Sequence, residues 1–378
     1  CPPAFVDNPF SPRGQHETQG IPMSQISRRQ FVKTTVAATA AFSVPAIVTA
    51  NKSGSRLWVG NDDHAFEIQH DWPQLPERFS WQTTHNVAVD GEGCLYVIHE
   101  GRTNQPDHPS IFVFDPEGRY IRSFGSQFQG GGHGIEVRQE GEEQYLYVAA
   151  YQQHKTFAKM DLHGETVWQK YAPMESGVYA EGEDTDPKKI WGNDRFLPTN
   201  FAFLDDGGFL LADGYGSCYI HRYDKDAKWL SCFGGRGNGE GTFNTAHGIW
   251  IDRRSGKEPT IVVTDRAHNT LQIFDMDGKY LETLTGYGLP ANMDTWEDLM
   301  VVPELKARVT LLDTKNQAVA RLGDDVERIN ADGKIRTDRN KWIDGKFVHP
   351  HDACFGADGS LFVAEWVGTG RVTKLKRM

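Results

Sequence analysis

AHGIWIDRRSGKEPTIVVTDRAHNTLQIF (246–274), continued by DMDGKYLETL (275–284), reads as four short strands in succession. An apolar strand runs into a polar Gly-containing turn. A second apolar strand ends in Asp265, a short loop leads to a third strand, and an Asp-Gly-type turn leads to the fourth. The turn chemistry carries the reading, since Gly and Asp between alternating apolar runs mark hairpins. A unit of this kind cannot bury its faces alone, so the remaining chain should repeat it.

It does. THNVAVDGEGCLYV (84–97) is followed by SIFVFDPEGRYIRSFG (110–125), and GHGIEVRQEGEEQYLYVAA (132–150) by KTFAKMDLHGETVWQ (155–169). TNFAFLDDGGFLLADGYGS (199–217) leads into CYIHRYDKDAKWLSCFG (218–234), and PHDACFGADGSLFVAEW (350–366) into GRVTKLKR (370–377). A weaker copy lies between Asn292 and Gly323, where DLMVVPELKARVTLLD and AVARLG supply strands without the Asp-Gly turn. Six copies of four strands at periods of about 40–50 residues predict an all-β, six-bladed β-propeller. The last copy ends after three clear strands, so FEIQHDW (66–72) is expected to supply the missing outer strand and close the ring, leaving no open sheet edge. The pattern of second strand, Asp, loop, Asn or Ser, third strand resembles NHL repeats, best in LLADGYGSCYIHRY (210–223) and VVTDRAHNTLQIF (262–274). Polar, irregular insertions at 171–196 and 324–347 read as loops over one face.

Composition agrees. The 378 residues are 38% hydrophobic and include 21 Phe and 10 Trp, enough for a large core. The net charge of −11 argues against a nucleic-acid partner. Ser27-Arg28-Arg29-Gln30-Phe31-Val32-Lys33, a short Ala-rich apolar run and Val48-Thr49-Ala50 together form a twin-arginine export pattern. Residues 1–50 are therefore expected to be a signal region, with 1–22, upstream of Met23, an extension before the true start. Residues 51–378 are expected to be the propeller, exported to the periplasm or outside the cell, with no stable membrane anchor expected. Cys218 and Cys232 flank a hairpin turn at Asp224–Lys228, where a disulfide and two free thiols are both open readings.

In a propeller the first strand of each blade lines the central channel. Aligned copies place His85, His133, Asn200, His247, a residue near Asn292 and His351 at one level. His133, His247 and His351 fall in blades two, four and six, about 120° apart. A single such histidine would read as a channel-lining polar residue. Three in alternate blades read as zinc ligands with an open position for water or substrate. His85 has the same strand position and breaks the symmetry.

His133-Gly134-Ile135, Asp213-Gly214-Tyr215, His247-Gly248-Ile249, Asp265-Arg266 and Pro350-His351-Asp352 occur in that order. In this the chain, over roughly residues 84–378, resembles peptidyl-α-hydroxyglycine α-amidating lyase. The resemblance implies Zn2+ on His133, His247 and His351, and cleavage of a C-terminal α-hydroxyglycine into the amide and glyoxylate. It implies catalytic roles for Tyr215, Arg266 and Arg102, and a structural Ca2+ at Asp352 with the carbonyl of Ile135. The chain departs from the family in having Gly216, not cysteine, after the tyrosine. No monooxygenase domain is read in these 378 residues, and the substrate is expected to be a peptide or small molecule. Two other readings accompany this one: a lactonase or related metal-dependent hydrolase, and an NHL-type binding module without catalysis.

Overall fold

The computed structural model describes residues 56–61, 63–102, 104–185 and 191–378. The twin-arginine segment and the expected mature start at Asn51 lie outside them. Strands between Leu57 and Arg377 form six antiparallel sheets, five of four strands and one of five, the six blades of a propeller. Their inner strands are Thr84–Val89, Gly132–Glu140, Asn200–Phe203, Ala246–Asp252, Asp294–Trp296 and Pro350–Phe355.

The ring closes as the sequence predicts. Ala65–Gln69 pairs with Arg371–Arg377, with Phe66 opposite Arg377 and Ile68 opposite Leu375. Leu57–Gly60 then adds a fifth strand outside it. Apolar side chains fill each of the six blade–blade interfaces. Between blades one and two, Tyr96, Ile98 and Val113 meet Ile135, Leu146 and Val148. At the closure, Val87, Leu95 and Phe112 of blade one meet Phe362, Ala364 and Val372 of blade six. Each fully buried aliphatic or aromatic side chain there contributes about 1.5–3 kcal/mol.

The repeated Asp residues do two kinds of work. In the outer turns, Asp115 and Asp275 each accept two backbone N–H groups, two and four residues on, while Gly118 and Gly278 take the positive φ that the turn needs. Blade five makes the same turn with Asp313, and Asn316 holds φ at +60°. Its copy looked weak because Asn had replaced Gly. At the ends of the second strands, Asp213, Asp265 and Glu365 accept the N–H of Leu197, Asn244 and Val348 respectively. These buried acids tie down the loop that enters the inner strand of their own blade.

Three details refine the sequence reading. The 324–347 insertion contains a short α-helix, Val326–Ala331, and two 3-10 turns, because Ile329 and Ile335 bury against Ala307, Val348 and Val367. Cys218 and Cys232 are free thiols, since the register sets Cys232 opposite His221, three residues from Cys218. Among the described residues no helix is long and apolar enough to cross a membrane.

Candidate metal centre

His133, His247 and His351 come together at the axis, each 1–2% exposed. Each is aimed by the blade that follows it. His133 Nδ1 lies 2.9 Å from the carbonyl oxygen of Thr199, His247 Nδ1 2.7 Å from that of Ala291, and His351 Nδ1 2.8 Å from that of His85. A carbonyl only accepts, so each Nδ1 carries the proton and each Nε2 offers a lone pair. Burial also holds all three well below the usual histidine range, which keeps them neutral. Carbonyl support of this kind is what metal-binding imidazoles ordinarily have.

Even blades therefore give imidazoles, and odd blades give the carbonyls that orient them. The ring at this level is His85, His133, Thr199, His247, Ala291, His351. Thr199 and Ala291 stand one residue before the Asn200 and Asn292 positions expected from sequence. The His-Gly pairs follow from the same geometry. A Cβ on Gly134 would lie 2.2 Å from the Thr199 oxygen, and one on Gly248 2.6 Å from that of Ala291. Only glycine lets the accepting carbonyl come so close.

One pair of these nitrogen atoms has the spacing that a shared cation would set. His133 Nε2 and His247 Nε2 are 3.1 Å apart, close to the roughly 3.3 Å edge of a tetrahedron with zinc–nitrogen bonds of 2.0–2.1 Å. Two facing lone pairs at that distance repel unless a positive charge lies between them. Among the described residues His351 Nε2 is buried without a hydrogen-bond partner, a state that native structures seldom leave uncompensated. The rings of His133 and His247 lie 5.0 and 4.7 Å from that of His351.

Tyr215 reaches the same point, with its hydroxyl 3.2 Å from His133 Nε2 and 2.9 Å from His247 Nε2. Arg266 Nη1 donates to that hydroxyl at 3.0 Å, and its guanidinium lies 4.9 Å from the ring centroid. Burial pushes the phenol up, and Arg266 pulls it back toward ionisation. The loop carrying Tyr215 is held from behind. The Trp229 indole donates to His221 Nδ1 (3.2 Å), so His221 Nε2 carries the proton and donates to the Tyr179 hydroxyl (2.6 Å). Tyr179 then donates to Asp213 Oδ2 (2.9 Å), which also accepts from Ser217. The order of donors is forced along the whole chain.

Arg102 is placed differently. It is exposed, its backbone N–H donates to Gln129, and among the described residues no contact of its side chain with the histidines is seen. Glu100 occupies that edge of the site, with Oε2 3.7 Å from His85 Nε2. Sequence reading also passed over Tyr151 and Trp191, whose rings lie 4.8 and 6.0 Å from that of Tyr215. Trp191 comes from the 171–196 insertion. From 324–347, Arg336 stacks on Trp366, and its charge acts on Glu100 and Tyr151. Both insertions thus contribute to the mouth.

A second, oxygen-rich level lies further along the inner strands. Asn292 Nδ2 donates to Asp352 Oδ1 (2.6 Å), Val87 N–H to Asp352 Oδ2 (2.8 Å), and Asn200 Nδ2 to Glu136 (3.0 Å). The Oδ1 atoms of Asn86, Asn200 and Asn292 are buried without partners among the described residues. Burial raises Asp352 to about 7 and Asp294 to about 6, and lifts Glu136 well above the usual range. Glu136, Asp294 and Cys354 line a cavity of about 260 Å³ at this end. Ile135 is buried beside this level, paired with Val148. The signal for the level was present in sequence as His85-Asn86, Thr199-Asn200 and Ala291-Asn292, one Asn in every odd blade.

Fold and axis together define a six-bladed β-propeller with a histidine-lined channel. No protein-family model and no curated protein matches the chain. Among solved structures, a gluconolactonase from Xanthomonas campestris is similar at 12% identity and a TM-score of 0.54, over 88% of this chain and 95% of that one. A virginiamycin B lyase from Staphylococcus aureus matches at 12% identity and a TM-score of 0.52, over 83% of this chain and 100% of that one. A streptogramin B lyase gives 12% identity and a TM-score of 0.51. At such identities the likeness is one of fold.

Proposed function

We propose that this chain is an exported, zinc-dependent propeller lyase that cleaves a C-terminal α-hydroxyglycine, or a similar carbinolamide, into an amide and glyoxylate. The observation that carries the reading is the meeting of the neutral Nε2 lone pairs of His133 and His247 with the Tyr215 hydroxyl and the Arg266 guanidinium, with the neutral His351 ring packed against both histidines. A divalent ion held by His133, His247 and His351 would supply Lewis-acid polarisation of the substrate hydroxyl. It would also favour the Tyr215 phenolate, in the same direction as Arg266.

Tyr215 is then the base. Its oxygen takes the proton of the substrate hydroxyl, the carbon–oxygen bond becomes a carbonyl as the carbon–nitrogen bond breaks, and Tyr215 returns the proton to the departing amide nitrogen. Arg266 holds the Tyr215 oxygen and faces the position of the substrate carboxylate, which a guanidinium can grip through two N–H groups. The oxygen-rich level suits a structural calcium ion, with Asp352, the Ile135 carbonyl and the three Asn amide oxygens as candidate donors.

The reading is tested with α-hydroxyhippurate. Zinc-loaded protein should release glyoxylate, and zinc-loaded protein that releases none contradicts it. The Glu136–Asp352 level favours a second reading, a lactonase-type hydrolase using an oxygen-bound metal, for which turnover of a simple aldonolactone is the corresponding assay.

A further inference from the structure

His85 has no role in the three-histidine centre as described, yet it is fully buried at the same level. Its ring lies 4.8 Å from that of His133 and 4.6 Å from that of His351. One ligand nitrogen from each of His85, His133 and His351 falls within 4.8 Å of the others. The His133–His351 pair is therefore flanked twice, by His247 on one side and by His85 on the other.

The other three imidazoles each spend Nδ1 on a carbonyl. Neither nitrogen of His85 has a hydrogen-bond partner among the described residues, although both are buried. A buried neutral imidazole with both nitrogens unsatisfied is a state that native structures seldom leave uncompensated. Glu100 faces it, with Oε2 3.7 Å from Nε2 and Oε1 accepting from Gln152. A carboxylate behind an imidazole is the arrangement that orients metal-binding histidines.

We propose that His85 is a fourth imidazole ligand of the same metal, with Nδ1 toward the ion and Nε2 supported by Glu100. The proposal rests on the metal reading above. It makes the centre one for an ion that accepts four imidazoles and still a fifth ligand, a demand that imidazole-preferring divalent ions such as zinc or cobalt can meet. His85 closes the His133–His351 edge. The Tyr215 hydroxyl stands on the other edge, between His133 and His247.

The test loads the purified chain with zinc, counts imidazoles by X-ray absorption, and measures affinity by chelator competition. The proposal expects four imidazoles in the wild type and three in His85→Gln. It also expects affinity to fall roughly 10-fold or more in Glu100→Gln, the usual scale for losing an outer partner. Three imidazoles in the wild type, with affinity unchanged in Glu100→Gln, overturn the fourth ligand and leave the three-histidine centre standing. Wild-type protein that takes up no zinc removes both. If His85→Gln fails to fold, the wild-type count and the Glu100→Gln titration still decide.

Discussion

The even blades and the odd blades have nearly the same backbone and opposite duties at the axis. Blades two, four and six present His133, His247 and His351. Blades three, five and one present the carbonyls of Thr199, Ala291 and His85 that hold those rings, followed in each case by an asparagine. A sixfold frame thereby becomes a threefold site, with nitrogen donors at one level and oxygen donors at the next. Nitrogen suits zinc-like ions, and neutral or anionic oxygen suits calcium.

If that division holds, changes in the two sets of blades should separate. Tyr215→Phe, on the nitrogen side, should lower glyoxylate release by about 100- to 10,000-fold, the range for a lost acid–base group. Its zinc content and thermal unfolding should stay near wild type, and a steady-state assay beside a metal count checks both. Asn292→Ala, on the oxygen side, should leave zinc bound but weaken stabilisation by calcium. That stabilisation is about 2.7 kcal/mol at a calcium concentration 100 times Kd, and melting curves with and without calcium read the difference.

Proton linkage sharpens the contrast. Asp352 and Asp294 have folded-state pKa values raised to about 7 and about 6 by burial, above an unfolded value of about 3.9. The folded protein then binds more protons than the unfolded one between these limits. Metal-free protein should lose stability as pH rises from about 4 to about 7. Calcium, which needs the ionised carboxylates, should stabilise more at pH 8 than at pH 5. A calcium effect larger at pH 5 would contradict this. The smallest effect belongs to the support behind Tyr215: Tyr179→Phe removes the donor to Asp213 and strands His221. It should cost about 1–3 kcal/mol of stability and reduce turnover less than Tyr215→Phe does.

Fold and histidine trio were legible because both rest on local periodicity. The Asp-Gly turns set the strand count, and alternate copies set the angle. The closing strand was legible because blade six lacked an outer partner. What lay beyond the sequence depended on register. A bulge at His133 and His351 shifts the level by one residue relative to Asn200, so Thr199 and Ala291 were missed. Glu100 and Arg102 sit two residues apart on one loop, and no pattern there says which one turns inward. Trp191 and Arg336 come from insertions that no repeat constrains. The oxygen level was legible in part, through Asp352, while the asparagines that complete it recur only in the odd copies.

Counting metal in the intact chain tests the central claim most directly. Protein purified without chelator, and its His247→Ala counterpart, would be assayed for transition metals by elemental analysis. The wild type should carry a stoichiometric imidazole-preferring ion, and His247→Ala, which keeps His85, His133 and His351, should hold it more weakly. Wild-type protein with no stoichiometric transition metal, even after exposure to zinc, would contradict the metal centre and leave a propeller built for binding alone.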